Sequence, residues 1–218
     1  DRLRARAGAE AAGNPRVSMQ LLRAAQHRRM AWKNGAGETT EIAVWPPGAG
    51  LDDFEWRISM AHVTSNGPFS VFAGVERTLT VLEGDGLRLA IGDAAPVDLH
   101  VGDAPLSFPA DVPTTATLLG GAVTDLNVMT RRGRWQHAVE RHRIQVAQTL
   151  AGTAASRLWL CSDGALHMCG TAGSTDLGAG DACLVVDPEA SPWRLDVQGT
   201  GTLWRIALVR RAVEPPEA

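Results

Sequence analysis

The chain has 218 residues, of which 44% are hydrophobic and 21% are charged, and its formal net charge is −3. A chain of this length can bury a substantial core. The charge balance lacks the basic excess that holds a phosphate backbone, which argues against a nucleic-acid partner. No apolar run approaches the roughly 20 residues that cross a bilayer, so no membrane partner is predicted either.

The N-terminal residues and the cysteines bear on where the protein is found in the cell. Residues 1–18 are predicted to form a disordered N-terminal extension, because they are rich in Ala, Arg and Gly and lack the apolar stretch of a signal peptide. Cys161, Cys169 and Cys183 are odd in number and cluster in one half of the chain, which makes a poor disulfide framework. Three reduced and mostly buried thiols are expected. These features together predict a soluble, cytoplasmic protein.

Beyond the extension, short segments rich in Val, Leu, Ile and Thr are separated by Gly and Pro, which is typical of an all-β protein. One helical turn is predicted first, at Met19–Ala25, from apolar residues at helical spacing. No alternation of strands and helices follows, so a sandwich or barrel is favoured over a parallel sheet. The predicted strands are Thr39–Val44, Trp56–Ala61, Thr78–Leu82, Leu87–Ile91, Val97–Leu99, Ala104–Phe108, Thr114–Leu119, Asp125–Met129, Ile144–Gln148, Leu158–Cys161, Leu166–Cys169, Cys183–Val186, Trp193–Val197 and Thr202–Val209.

An internal repeat runs through these strands. Residues 86–109 and 165–188 share one ordered series: strand, turn, strand, a Gly-Asp pair, and an apolar strand ending at Pro. Leu87 corresponds to Leu166, and Gly102-Asp103 corresponds to Gly180-Asp181. Chance produces a single Gly-Asp match far more readily than the whole series. The chain is therefore predicted to contain two copies of one β unit.

The series resembles the cupin domain, a double-stranded β-helix or jelly-roll barrel in which a Leu-Glu-Gly turn precedes a hairpin and a Gly-Asp turn. Leu82-Glu83-Gly84 and Gly102-Asp103 stand in those places. The resemblance implies an all-β bicupin, with repeat one at residues 19–130, repeat two at residues 131–218, and both packed as one globular unit. A barrel of this kind encloses a cavity for a small ligand.

Cupins commonly hold a divalent metal through a His-x-His pair, a Glu and a later His, and repeat one lacks all of these donors. The Glu position, counted back seven residues from Gly84, holds Arg77. Residues 70–73, where the His pair is expected, contain no histidine, and the late His position is Thr114. No metal or other cofactor is therefore predicted. An inward arginine reverses the charge of the site and favours a carboxylate ligand.

Repeat two offers two metal-ligand types in alternation. The Glu position falls near Ser156 or Arg157, but His167 and Cys169 lie two residues apart on a predicted strand, so both side chains can face one way. Two donors alone make a weak metal site. The structural alternative is a core thiol beside a hydrogen-bonded histidine. A metal-dependent cupin enzyme acting on a small metabolite stays open as a second functional hypothesis.

Two further motifs are more specific than the barrel pattern: Trp32-Lys33-Asn34-Gly35 and Trp56-Arg57-Ile58-Ser59. With the segment 67–79 they resemble the HutD/Ves family over roughly residues 20–210, although Ala31 and Ala36 stand where Pro and Gly are expected. The resemblance implies a regulator, or governor, of histidine utilisation that binds a small carboxylate such as N-formyl-L-glutamate. The enzymatic status of the family is unsettled, and the chain is more simply explained as a binding protein.

The predicted pocket lies in repeat one. Strand 56–61 alternates, so Arg57 and Ser59 oppose Trp56 and Ile58, which need a core, and the polar pair faces either water or a polar cavity. The two arginines are expected to hold carboxylate oxygens, and the glycine-flanked loop 32–37 is expected to close one end. The predicted ligand-binding residues, with no catalytic residue among them, are Trp32, Lys33, Asn34, Arg57, Ser59, Arg77 and Asn127.

Each of these side chains also has a structural alternative. Trp32 can plug the core, and Asn34 can cap its own turn. The arginines can serve as ion-pair partners instead, Arg57 for Glu55 or Asp53 and Arg77 for Glu76 or Glu83.

A third hypothesis is a stress-induced protein that binds a partner and no small ligand, since the seven tryptophans can anchor an interface. They are more simply explained as core residues of a barrel with four phenylalanines and no tyrosine. A homodimer is expected from analogy with other cupins alone.

Overall fold

The computed structural model describes residues 17–153 and 156–211, and these residues fold into strands plus one 3-10 turn at Ala24–Gln26. Residues 1–16 of the predicted extension lie outside the described residues. The first strand begins at Ser18, the last residue of that predicted extension. The strands are β1 (Ser18–Leu22), β2 (Arg28–Ala31), β3 (Gly37–Trp45), β4 (Trp56–Val63), β5 (Gly67–Pro68), β6 (Val75–Glu83), β7 (Leu87–Ile91), β8 (Val97–Leu99), β9 (Leu106–Pro109), β10 (Thr114–Leu118), β11 (Val123–Arg131), β12 (Trp135–Ile144), β13 (Gln148–Thr153), β14 (Ser156–Gly170), β15 (Gly173–Gly178), β16 (Ala182–Val186) and β17 (Pro192–Arg210).

In this part of the chain the strands form three antiparallel sheets. Sheet I has six strands in the order β2-β3-β4-β11-β6-β9, and sheet II has four in the order β5-β10-β7-β8. Sheet III has seven strands, with β1-β16-β14-β17-β12 in line, β13 beside β17 and β15 beside β14. Sheets I and II belong to the first half of the sequence, while sheet III contains every strand of the second half and also β1.

Sheet I lies between the other two sheets. Trp56, Ile58 and Leu126 on one face pack with Leu158 and Ile206 of sheet III. The opposite face turns toward sheet II, where Leu79 and Val81 of β6 meet Leu87, Leu89 and Ala116. Because both faces are covered, the polar residues that alternate with the apolar ones on β4 are also buried. The all-β class of the predicted bicupin is thereby confirmed.

The two Gly-Asp turns of the repeat have the same construction. Gly102 and Gly180 both adopt positive φ, at 102° and 83°. Asp103 accepts a hydrogen bond from the backbone N–H of His100 at 2.7 Å, and Asp181 accepts one from Gly178 at 3.1 Å. In each turn a carboxylate caps the N–H three residues earlier, which explains why a short acidic residue follows the glycine.

The predicted helical turn at Met19–Ala25 is wrong over its first part. Residues 18–22 form β1, whose Met19 and Leu21 pair with Val185 and Cys183 of β16. Met19 and Leu21 both pack into the core of the second half, so their spacing of two, and not the helical spacing, decides the structure. The 3-10 turn begins only at Ala24. The division at residue 130 stays a prediction, with β1 paired across it.

The predicted strand Ile144–Gln148 is also wrong, because the chain bends at residues 145–147 between β12 and β13. Ile144 is fully buried at the end of β12, whereas Val146 is 73% exposed. The predicted pairs 158–161 with 166–169, and 193–197 with 202–209, belong to two long strands, β14 and β17. No helix in the described ranges is long and apolar enough to cross a membrane.

Candidate functional site

A cavity of about 610 Å³ lies in the first half, against the face of sheet I that turns toward sheet II. Its floor comes from β4, β6 and β11. The rest of its lining includes parts of β2 and β3, the turn at residues 32–36, Leu51, the segment 65–72 and Ala116 of β10. All seven residues predicted to bind a ligand line this cavity. Their role in binding stays a prediction.

Strand register explains why residues distant in sequence meet on the floor. Met129 of β11 pairs with Arg57 of β4 on one side and with Arg77 of β6 on the other. Directly paired residues point to the same face of a sheet, so both arginines face the cavity. Adjacent strands lie about 4.8 Å apart, so the Cα atoms of the two arginines lie roughly 10 Å apart, at the same position along the strands. One step along the sheet, Ser59 pairs with Asn127.

Arg57 has a carboxylate partner that the sequence did not reveal. Its Nε lies 2.7 Å from Oε2 of Glu41, and the two side chains are only 6% and 12% exposed. The alternative partners weighed from the sequence, Glu55 and Asp53, are not used; Glu55 instead accepts hydrogen bonds from Trp135 and Arg134. Arg57 is therefore already paired with Glu41, and its role in holding a ligand carboxylate stays a prediction.

Arg77 has no such carboxylate partner among the residues that the structure describes. Its guanidinium carbon lies 5.1 to 5.9 Å from the ring centres of Phe69, Phe72 and Phe108. Its Nη2 donates to the carbonyl of Ser70 at 3.1 Å and contacts the sulfur of Met129, and its buried Nε has no partner in the described residues.

Burial lowers the pKa of Arg77 to about 10, so its side chain is still a cation at neutral pH. Neither Glu76 nor Glu83 neutralises this charge: Glu76 lies near Arg132, and Glu83 accepts a hydrogen bond from Thr124. Arg77 is thus the buried cavity cation that lacks an ion pair among the residues the structure describes.

Asp125 is a carboxyl group in the same wall that the sequence analysis did not select. It is fully buried, Oδ1 accepts a hydrogen bond from the amide of Asn127, and Oδ2 has no partner in the described chain. Burial raises the pKa of Asp125 to about 7, against the attraction of Arg77 and the hydrogen bond from Asn127. Because side chains alternate along β11, the sequence already places Asp125 on the same face as Asn127. That shared face is the feature from which Asp125 could have been predicted as a cavity residue.

The turn at residues 32–36 forms a rim of the cavity. The indole N–H of Trp32 donates to Oγ1 of Thr39 at 2.8 Å, and Oδ1 of Asn34 accepts the N–H of Ala36 at 3.1 Å. The side chain of Asn34 therefore caps its own turn, which is the structural alternative considered for it. Lys33 is exposed and forms no ion pair with any described residue, so its ammonium is free to meet an anion at the rim.

Replacing either of two glycines at the rim, Gly35 in the turn or Gly37 at the start of β3, is expected to lower stability by different amounts. A Cβ on Gly37 would lie 2.3 Å from the carbonyl oxygen of His62, whereas Gly35 has φ +70° and open space around it. Gly37→Ala must push β3 from β4 and is expected to cost about 2–3 kcal/mol and to weaken ligand binding. Gly35→Ala, the matched control, should cost about 1 kcal/mol from its backbone conformation. Urea unfolding measures both, and equal losses would contradict the close approach.

The space found in the core of the second half, within its described residues, is far smaller than this cavity. Trp159 and Trp193 meet edge to face with ring centres 5.3 Å apart in its core, and the residual space beside them is about 20 Å³. The guanidinium groups of Arg157 and Arg205 both lie over Trp193. Aromatic packing, with two arginines stacked on it, thus fills much of the described core of the second half.

His167 and Cys169 face one way, as predicted, but both are exposed, so the expected core thiol at Cys169 is corrected. Cys161 and Cys183 are the buried thiols, and all three cysteines are unpaired. His167 lies 2.7 Å from a carboxylate oxygen of Asp176. No group of three or more His, Cys, Asp or Glu side chains suited to a metal ion occurs within residues 17–153 and 156–211.

Two jelly-roll halves, one with a cavity and one filled by tryptophan, define this chain as a bicupin. It belongs to the HutD family, whose model matches residues 24–205. HutD from Pseudomonas fluorescens SBW25 superimposes with a TM-score of 0.76 at 30% identity, over 89% of this chain and 100% of that one. A Bacillus subtilis oxalate decarboxylase superimposes with a TM-score of 0.65 over 90% of this chain and 78% of that one, but at 10% identity it supports the fold alone.

Sequence relatives agree with this assignment. A Pseudomonas putida protein described as an uncharacterized 21.2 kDa protein in the hutC 3′ region is 42% identical over 141 residues, which are 65% of this chain and 68% of that protein. Protein Ves of Citrobacter koseri is 42% identical over 127 residues, 58% of this chain and 62% of that protein. The predicted resemblance to the HutD/Ves family is confirmed.

Proposed function

We propose that the protein binds a small carboxylate, such as N-formyl-L-glutamate, without a metal, and acts as a regulator of histidine utilisation rather than as an enzyme. The observation that carries this proposal is the buried, cavity-lining Arg77, a cation without a carboxylate partner among the described residues. Membership of the HutD family supports the link to histidine utilisation. N-formyl-L-glutamate is an intermediate of that pathway and carries two carboxylates.

The energetic state of Arg77 argues for an anionic ligand. Removing a cation from water costs several kcal/mol unless an anion or good hydrogen bonds compensate it. Three phenylalanine rings and one carbonyl provide part of that compensation. A carboxylate in the cavity would supply the rest through charge-assisted hydrogen bonds, for which the planar guanidinium is well suited.

The other cavity groups suit the rest of such a ligand. Ser59 and Asn127 lie at one level of the floor and offer a hydroxyl and an amide for neutral polar atoms. Lys33 offers a second cation at the rim for a second carboxylate, with Trp32 as an apolar wall. The cavity volume falls within the range of about 300–1,000 Å³ that is usual for small-molecule sites.

Thermal unfolding with a panel of acids tests the proposal. N-formyl-L-glutamate at about 100 times its Kd should stabilise the protein by about 2.7 kcal/mol, which corresponds to a rise in Tm of roughly 5–10 °C for a chain of this size. Glutaramide, an uncharged diamide, is the matched control and should leave Tm unchanged. An unchanged Tm with every carboxylate in a panel of N-formyl-L-glutamate, glutamate, glutarate and succinate would rule out the proposed ligand class.

A further inference from the structure

Asp125 is a carboxyl group whose surroundings do not suit a permanent negative charge. An ionised carboxylate has about four lone-pair sites for hydrogen bonds, but Asp125 receives one, from Asn127, and its Oδ2 has none in the described residues. Its paired neighbours on β4 and β6 are the apolar residues Ala61 and Val81. The geometry alone therefore favours a neutral acid at this position.

Few charges act on Asp125 from the elements around it. The charged residues that line the cavity with it are Lys33 on the exposed turn, Arg57 on β4 and Arg77 on β6. Glu41 of β3 neutralises Arg57 through their 2.7 Å contact. Deep in the cavity, Arg77 and Asp125 are thus the two groups whose charges are not matched by a direct partner.

The charge on Asp125 decides what Arg77 can offer to a ligand. When Asp125 is ionised, the pair is neutral as a whole, and an incoming carboxylate meets a buried negative charge. When Asp125 is protonated, Arg77 has one uncompensated positive charge, and Oδ2 carries a hydrogen that can be donated to a ligand oxygen. Since burial raises the pKa of Asp125 to about 7, both forms are populated near neutral pH.

We infer that Asp125 couples ligand binding to proton uptake, so that the cavity accepts a carboxylate together with one proton from the solvent. This inference rests on the carboxylate-binding function proposed above. A carboxylate beside Arg77 cancels the attraction that Arg77 exerts on ionised Asp125, so the bound ligand makes protonation of Asp125 easier. By linkage, protonation of Asp125 must strengthen binding of the carboxylate by the same factor.

The sign of the pH dependence follows from these two states. Below about pH 7 the carboxyl of the free protein is already protonated, so binding takes up no proton and affinity does not change with pH. Above about pH 7 each binding event must first protonate Asp125, and affinity should fall by up to about tenfold per pH unit. The carboxylates of N-formyl-L-glutamate are ionised throughout this range and do not contribute.

Isothermal titration calorimetry of N-formyl-L-glutamate with the full chain between pH 6 and pH 9 tests the coupling. The wild type should show the fall in affinity, with close to one proton taken up at pH 8, as measured in two buffers of different ionisation enthalpy. Asp125→Asn keeps the shape of a neutral acid, so its affinity should not vary with pH. At pH 8.5, about 1.5 units above the pKa of Asp125, this variant should bind roughly 30-fold more tightly than the wild type.

Asp176→Asn is the matched control, because Asp176 is an exposed carboxylate of the second half. It should keep the wild-type pH profile. Equal pH dependence in the wild type and in Asp125→Asn overturns the coupling while leaving the carboxylate-binding function in place.

Absence of binding to both the wild type and Asp125→Asn at every pH would instead show that N-formyl-L-glutamate is the wrong ligand. The coupling is then decided with sodium formate as the probe. Carbon-13 NMR follows the side-chain carboxyl carbon of Asp125, assigned by its loss in Asp125→Asn. A pKa that rises in saturating formate supports the coupling, and a pKa that stays constant overturns it.

Discussion

Arg77→Met is expected to weaken binding of N-formyl-L-glutamate by at least about 100-fold, while the free energy of unfolding of the ligand-free protein is unchanged or increases. The lost charge-assisted contact is worth about 3 kcal/mol. Methionine fills a similar volume and packs well against the rings of Phe69, Phe72 and Phe108 that surround Arg77. Removing a buried cation that has no carboxylate partner also removes its desolvation cost. Calorimetry and urea unfolding measure the two quantities.

Arg57→Met is the informative comparison, because Arg57 lies at the same level of the sheet but has a partner. Its loss leaves Glu41 buried without a cation, which should cost about 3 kcal/mol or more of stability. Arg88→Met, at an exposed pair with Asp98, is the surface control and should change stability by less than about 1 kcal/mol and leave binding intact. If Arg77→Met loses as much stability as Arg57→Met, then Arg77 is a structural cation; if it keeps full affinity, then the ligand binds elsewhere.

Much of the cavity lining could be predicted because three local rules were enough to find it. Side chains alternate along a strand, so the apolar partners Trp56 and Ile58 placed Arg57 and Ser59 on one shared face. Counting back from the Gly84 turn found Arg77 because the turn fixes where β6 ends and therefore which of its residues point inward. The glycines at 35 and 37 marked the rim because glycine permits both a positive φ and a close backbone approach.

The partners of those residues could not be predicted, since they depend on register between distant strands. Glu41 reaches Arg57 across the β3–β4 pair, which contains a register shift between Glu41 and Ala43. Such a bulge changes which residues face each other, and nothing local in the sequence reveals it. Asp125 shared a predicted face with Asn127, but its importance depends on burial and on an unpartnered oxygen, which only the assembled sheets determine.

Strands that follow a local pattern were predicted correctly. The prediction failed where a strand pairs with a segment that is distant in the sequence. Leu87–Ile91 and Val97–Leu99 have the predicted bounds because a turn with Gly92 separates two apolar strands. Met19 was assigned to a helical turn because its partner, Val185, is far away in the sequence. When all the hydrogen bonds of a strand go to a distant segment, the only local signal is the spacing of its apolar residues. In a short segment that spacing does not distinguish a helix from a strand.

Trp159→Ala is expected to destabilise the protein by about 3–5 kcal/mol, because it empties the centre of the second half. Trp159 is 1% exposed and packs with Trp193 at 5.3 Å between ring centres. The loss should lower Tm on the order of 10 °C for a chain of this length. Affinity for N-formyl-L-glutamate, measured well below the new Tm, should change less than about threefold, since the cavity of the first half lies on the far side of sheet I.

Trp45→Ala is the matched control for this substitution. Trp45 is 42% exposed and stacks on Trp56 at the end of β3, so its loss should cost less than half as much as that of Trp159. Indole should raise the Tm of Trp159→Ala and not that of the wild type, because a buried apolar cavity binds an apolar molecule of the missing shape. Equal stability losses at Trp159 and Trp45, with no response to indole, would mean that tryptophan packing is not what closes the second half to ligands.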